Sequence, residues 1–347
     1  MHNSRIIPKK ILPVETHWQK ELANCFTRLE SLLDYLQVSP PADAGKLEQH
    51  SVARKLFAMR VPRPFADLME SGNWHDPLLQ QVLPQQAEFV QKHGFVSDPL
   101  QEQDSKHSGL IHKYQSRVLL IVRGGCAVNC RYCFRRHFPY KDNHLSSSQY
   151  SQTMAYIAKD KRLNEVILSG GDPLMAKDYQ LAELAQQISQ IDHIKRLRIH
   201  TRLPVVIPSR INDEFIAWIS DLSIKPIIVL HINHANEIGS DLTQKCEMLR
   251  AAGVTLLNQS VLLKGVNDSV EQLENLSEKL FSAGILPYYL HLLDPVKGAS
   301  HFEVDKQVGI QLLRELIKRL PGFLVPKLVQ ELPGQPGKTP IDLGLEP

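Results

Sequence analysis

The run Val118-Leu-Leu-Ile-Val122-Arg-Gly-Gly-Cys126-Ala-Val-Asn-Cys130-Arg-Tyr-Cys133 decides how this chain is read. Its first five residues are apolar and rich in β-branched types, which predicts a buried strand. Three cysteines in the pattern C-x3-C-x2-C follow at once. Chemistry placed at the C-terminal end of a strand is what parallel α/β folds provide. Strand and cysteine loop are therefore judged together.

Working outward, short apolar runs recur at 118–122, 166–168, 197–200, 227–232, 254–263 and 286–292. Helix-like patterns lie between them, as at 179–191 and 241–252. Strands that alternate with helices imply a parallel sheet with crossovers. Six units rather than eight predict an α/β fold built as a partial (β/α)6 TIM-like barrel. We assign it to residues 106–320, between an N-terminal helical region (1–105) and a C-terminal segment (321–347). In the first region Trp18, Leu22, Phe26, Leu29, Leu33 and Leu36 step by three and four, which predicts one amphipathic helix. Thr16 with Gln19 fits a capping box, and Ser39-Pro40-Pro41 stops the helix. This layer reads as a cap or packing element without chemistry.

Composition narrows the class. Hydrophobic residues at 43% and charged residues at 22% supply a globular core. A net charge of +3 is too weak to suggest nucleic acid. Residues 1–13 lack the apolar stretch of a signal peptide, and no run is long enough to span a membrane. The expected compartment is the cytoplasm, where thiols stay reduced. Of the five cysteines, Cys25 and Cys246 stand alone. Crowding of the other three into one loop points to a metal or cluster rather than disulfides. Three thiolates can hold three irons of a 4Fe–4S cubane and leave the fourth iron open. A Cys3His zinc site completed by His137 and a set of reactive thiols are the alternatives.

After the second strand comes Glu165-Val-Ile-Leu-Ser169-Gly170-Gly171-Asp172-Pro173. Two glycines allow a ligand to approach the backbone and expose its N–H groups, and Asp172 offers a carboxylate to an ammonium. The alternative is a plain strand-to-helix turn. Near the end stands Leu332-Pro-Gly-Gln-Pro-Gly-Lys338-Thr-Pro340. A phosphate loop would need glycine where Leu332 sits and a helix where Pro340 forbids one, so that reading fails. Lys338 is then either an exposed tail residue or a nucleophilic amine in a glycine-rich loop.

The triplet, with Tyr132 before its last cysteine, resembles the signature of the radical S-adenosylmethionine superfamily. That resemblance implies an open iron that chelates S-adenosylmethionine and a reduced cluster that releases a 5′-deoxyadenosyl radical. It also implies that Gly170, Gly171 and Asp172 bind the cofactor's amino group. Within the superfamily, residues 100–345 resemble the lysine 2,3-aminomutases. The blocks are Arg202-Leu-Pro-Val-Val206, His231-Ile-Asn-His-Ala-Asn-Glu-Ile238, Asn258-Gln-Ser-Val-Leu-Leu-Lys-Gly-Val-Asn-Asp268 and the Lys338 loop.

What this second resemblance implies is specific. Lys338 would carry pyridoxal 5′-phosphate, with Tyr114 and Arg117 near its ring and phosphate and Lys113 where arginine is usual. Arg135 would take the substrate carboxylate. Asp294 and Glu331 would face the ε-ammonium of L-lysine, Glu331 standing where the family usually has Asp. His231 and Gln259 would touch the adenosyl ribose. The reaction would convert L-lysine to (R)-β-lysine with a reducing electron donor. Ser269 replaces a family cysteine and the chain stops at Pro347, so the structural zinc of longer members is expected to be missing. Its length resembles the bacterial members that supply β-lysine to elongation factor P and its lysyl-transferring ligase. Whether the chain forms a homo-oligomer is left open.

Overall fold

The computed structural model describes residues 17–42, 47–103, 109–140 and 147–345. The helix cap read at Thr16 and the segment 1–13 lie outside the described residues. Nine strands form one sheet in chain order. β1 (Leu110–Tyr114) pairs antiparallel with β2 (Arg117–Arg123). From β2 the sheet runs parallel through β3 (Glu165–Gly170), β4 (Arg196–Thr201), β5 (Lys225–His231), β6 (Thr255–Val261), β7 (Leu286–His291) and β8 (Lys327–Gln330). β9 (Thr339–Pro340) returns antiparallel to β8. β1 and β9 remain the two edges, so the barrel is partial and open.

The six predicted strands are β2 to β7. β8 escapes the sequence reading because its four residues carry too short a pattern. The helices read at 179–191 and 241–252 form as Asp178–Ser189 and Ser240–Ala251. Later crossovers start on side-chain caps: Asn212 and Ser269 accept from the backbone N–H three residues on and Asp305 from that of Gln307. Alternation then sorts each strand into two faces. In β4, Leu197 and Ile199 enter the core under the helices, while Arg198 and His200 face the cavity inside the sheet.

The first region departs from its sequence reading. Its apolar stripe forms two helices, His17–Ala23 and Leu29–Leu36, rather than one. Between them Phe26 pairs with Val61 through two backbone hydrogen bonds of 2.8 and 3.0 Å. A tertiary bridge has overridden a local period that both conformations satisfy.

Nor is this layer chemically idle. Glu88 is fully buried and accepts from Arg131 at 2.9 and 2.6 Å and from Arg136 at 2.6 Å. Arg60 donates to the Cys126 carbonyl at 3.1 Å, and the Arg131 N–H donates to the Gln81 carbonyl at 2.9 Å. The cysteine loop is thus clamped by residues some forty to seventy positions upstream. Removing the one anion from a buried cluster with two guanidinium groups leaves charges without compensation. Glu88→Gln is expected to cost about 3–5 kcal/mol, read as a lower urea midpoint; an unchanged midpoint would refute the clamp.

Candidate active site

A cavity of about 420 Å³ opens inside the sheet, and the residues assigned from the sequence to the cluster, the cofactors and the substrate line it, whereas His137 of the zinc alternative does not. The strand-end rule explains most of this. Cys126, Cys130 and Cys133 follow β2, Gly170 ends β3, His231 ends β5, Asp294 follows β7 and Glu331 follows β8. Lys338 arrives differently. Pairing of Val329 with Pro340 and of Gln330 with Thr339 folds the chain back. That sets the Lys338 Nζ 2.8 Å from Glu331 Oε2, with only 19% of its side chain exposed. An idle tail residue is not placed this way.

The three thiols are free and line the cavity. Burial pushes the Cys126 thiol well up, and it pushes Cys133 to about 11, with neighbouring thiols adding to both. Thiols raised in this way ionise only with positive charge beside them, which iron would supply. The zinc alternative fits poorly. His137 Nε2 donates to the Lys297 carbonyl at 3.1 Å. Among the described residues no three His, Cys, Asp or Glu side chains are grouped to hold one ion. Thiolates that bind separate irons need not converge on one point. The donor set therefore fits a cluster.

The glycine turn lines the cavity and is tightly packed. Gly170 has φ +124°, and a Cβ on it would lie 2.5 Å from the Arg123 carbonyl oxygen. The N–H of Gly171 donates to Arg123 O at 2.7 Å and that of Asp172 to Gly125 O at 3.0 Å, so neither is free for a ligand. The buried Asp172 carboxylate accepts from Leu174 N, Thr201 Oγ1, Arg202 N and Leu203 N at 2.7–3.0 Å. It pins the tip of β4 to that of β3. Gln259 makes no side-chain hydrogen bond among the described residues and faces the cavity. His231 is held by the Tyr132 hydroxyl at 2.8 Å, and burial, then the Arg202 charge, pushes it down to about 3.

Around Lys338 the groups suit a phosphorylated aldehyde. The Arg117 guanidinium stacks on Tyr114 at 4.1 Å. Arg198, paired with Glu165, keeps a buried Nε without a partner among the described residues. An amine beside two arginines and an orphaned donor matches an aldehyde that carries a phosphate. Glu331 also accepts from the Tyr114 hydroxyl at 3.0 Å and lies 3.8 Å from Lys113. Burial alone would raise its carboxyl, but the charge and hydrogen bond of Lys338, the Lys113 charge and the Tyr114 hydroxyl together outweigh that and hold it below the usual range.

Sequence reasoning missed Glu102, His200 and His291. Glu102 accepts from Arg135 Nε at 2.7 Å and from Lys113 at 2.8 Å. Arg135 Nη1 goes to Ser169 and the Gly170 carbonyl, which leaves Nη2 without a partner among the described residues. Burial pushes both histidines well down, helped by Arg198 at His200 and by Lys338 at His291. Polar residues at alternate positions of Arg-Leu-Arg-Ile-His-Thr (196–201) were the signal.

The Radical SAM superfamily profile matches residues 120–277. The chain is 51% identical over 333 residues to the L-lysine 2,3-aminomutase of Escherichia coli, covering 96% of each chain. The chain belongs to the L-lysine 2,3-aminomutase family. A second member, from Haemophilus influenzae, is 49% identical and covers 96% of this chain and 98% of its own. The Clostridium subterminale L-lysine 2,3-aminomutase is 33% identical; the match spans 93% of this chain and 77% of that one. Membership in this radical family implies a 4Fe–4S cluster and S-adenosylmethionine, which the thiol geometry suits.

Proposed function

We propose that this family member is a radical lysine 2,3-aminomutase that moves the α-amino group of L-lysine to C3, giving (R)-β-lysine, with pyridoxal 5′-phosphate held on Lys338. The observation that carries the reading is one cavity walled by both the cysteine triplet and Lys338. When bound, the cluster with S-adenosylmethionine supplies a hydrogen-abstracting carbon radical, and pyridoxal phosphate supplies a carbonyl carbon for the migrating nitrogen. The protein's residues bind, orient and move protons. Lys338 must lose a proton to attack the aldehyde, and Glu331 Oε2 at 2.8 Å holds its Nζ in place inside the cavity. Arg135 Nη2 is the donor left for a substrate carboxylate, its orientation fixed by Glu102.

Asp294 favours a dibasic substrate. Its carboxylate has no hydrogen-bond partner among the described residues, and burial, then the Glu331 charge, pushes it to about 7. A substrate ammonium would compensate it. Deprotonation, not protonation, makes it a cation site, so lysine binding strengthens as pH rises through about 7. The KM for lysine is expected to fall about tenfold from pH 6 to pH 8, following the ionised fraction. Asp294→Asn should raise KM and flatten that profile. A profile of the same slope in the variant would remove Asp294 from this role.

Anaerobically reconstituted protein with dithionite, S-adenosylmethionine, pyridoxal phosphate and L-lysine is expected to form β-lysine. Absence of any β-amino acid while iron, sulfide and coenzyme are all bound would overturn the proposal. The high identity to the short bacterial members supports a role in supplying β-lysine to elongation factor P. Five free thiols suit the reducing cytoplasm.

A further inference from the structure

Next to the cysteine triplet lies a buried polar network that binds no substrate in the reading above. Arg202 follows β4, and its backbone N–H is fixed by Asp172 at 2.8 Å. Its Nη1 donates to Cys130 Sγ at 2.7 Å and to the Tyr132 hydroxyl at 2.5 Å. Its Nη2 donates to Gln81 Oε1 at 2.7 Å and to Glu237 Oε2 at 2.8 Å. Glu237 is fully buried, and its other oxygen accepts from Gln81 Nε2 and from the N–H groups of Asn233 and His234 at 2.9–3.1 Å. The guanidinium lies 5.4 Å from the Phe65 ring centroid.

Such an arrangement is costly if its only purpose is packing. A buried ion pair of this kind can often be replaced by apolar groups without loss of stability. Here one arm of the fork is aimed at a sulfur. Hydrogen bonds to cluster sulfurs and nearby fixed charge set the reduction potential of an iron–sulfur centre. Adding an electron makes the centre more negative, so a fixed cation on a ligating sulfur favours the reduced form. A nearby carboxylate acts in the opposite sense.

We propose that Arg202 is a positioning residue that raises the reduction potential of the cluster through Cys130, and that Glu237 sets how much of its charge the cluster feels. The inference rests on the cluster assignment to Cys126, Cys130 and Cys133. The electron comes from an external low-potential one-electron donor; the cluster is reduced, the donor is oxidised, and no bond is made or broken in the step.

The test is a redox titration with dithionite, followed by electron paramagnetic resonance on anaerobically reconstituted full-length protein. Arg202→Gln is expected to lower the equilibrium constant for reduction about tenfold, equivalent to ~59 mV for one electron. Glu237→Gln, which leaves the arginine less compensated, is expected to raise it about threefold. Arg202→Lys keeps the charge without the fork and should fall between wild type and Arg202→Gln. Opposite signs for the two neutral variants are the decisive result, because loss of mere packing would not shift them in opposite directions. Shifts of the same sign, or none in either variant, overturn the proposal. Should Arg202→Gln fail to hold iron, Glu237→Gln and Arg202→Lys still decide it. A wild-type protein with no iron–sulfur signal would overturn the cluster assignment itself, a separate outcome.

Discussion

Lys338→Ala is expected to lower turnover by at least about a thousandfold, roughly 4 kcal/mol in the barrier, and to leave protein that no longer fixes pyridoxal phosphate on borohydride treatment. The geometry explains why the loss should be so large. Lys338 is the amine at the end of a chain reversal set by β8 and β9, and Glu331 holds its Nζ at 2.8 Å. Lys113 lies 3.8 Å from Glu331, but it is already bound to Glu102 at 2.8 Å and to the Leu100 carbonyl at 3.2 Å, so it is poorly free to substitute. The folded state should survive the change, since the lysine is near the surface of the core rather than inside it. Wild-type levels of borohydride-fixed coenzyme in the variant would move the attachment point elsewhere.

Cys133→Ala should be equally severe by another route. Iron is expected to fall from about four atoms per chain to none, with β-lysine formation lost at the same time. Burial pushes the remaining Cys126 thiol well up, so it has little tendency to ionise without the cluster. Iron and sulfide analysis with visible absorption checks this. A variant that keeps full iron would show that Cys133 is not a ligand. A wild-type preparation holding zinc in place of iron would revive the Cys3His alternative, although His137 is turned toward Lys297.

The comparison of sequence with structure divides by the range of the interactions involved. Strands β2 to β7 were legible because a two-residue period and β-branched composition are local signals. The gathering of the candidate residues around one cavity was legible because strand-end loops concentrate chemistry. What stayed hidden depends on pairs far apart in the chain. Glu88 reaching Arg131, and Gln81 and Glu237 reaching Arg202, join residues 43, 121 and 35 positions apart. No spacing rule marks them. Asp172 shows the reverse case: its motif was visible, but not that its carboxylate accepts from the Thr201 hydroxyl and from the backbone N–H groups of Leu174, Arg202 and Leu203. A motif identifies a location more reliably than it identifies which atom touches a ligand.

The open sheet has one more consequence. Its two edges, β1 and β9, are not joined by a backbone ladder. Among the described residues, polar bonds from β1 reach the opposite side at Glu331, from Tyr114 at 3.0 Å and from Lys113 at 3.8 Å. Among the described residues these side chains stitch the seam. A closed eight-stranded wall could part only by breaking a row of peptide hydrogen bonds, whereas this one parts for about 1–3 kcal/mol per charged bond. The same carboxylate that tethers Lys338 also bonds to β1, so occupation of the amine and the contact across the seam draw on a single group.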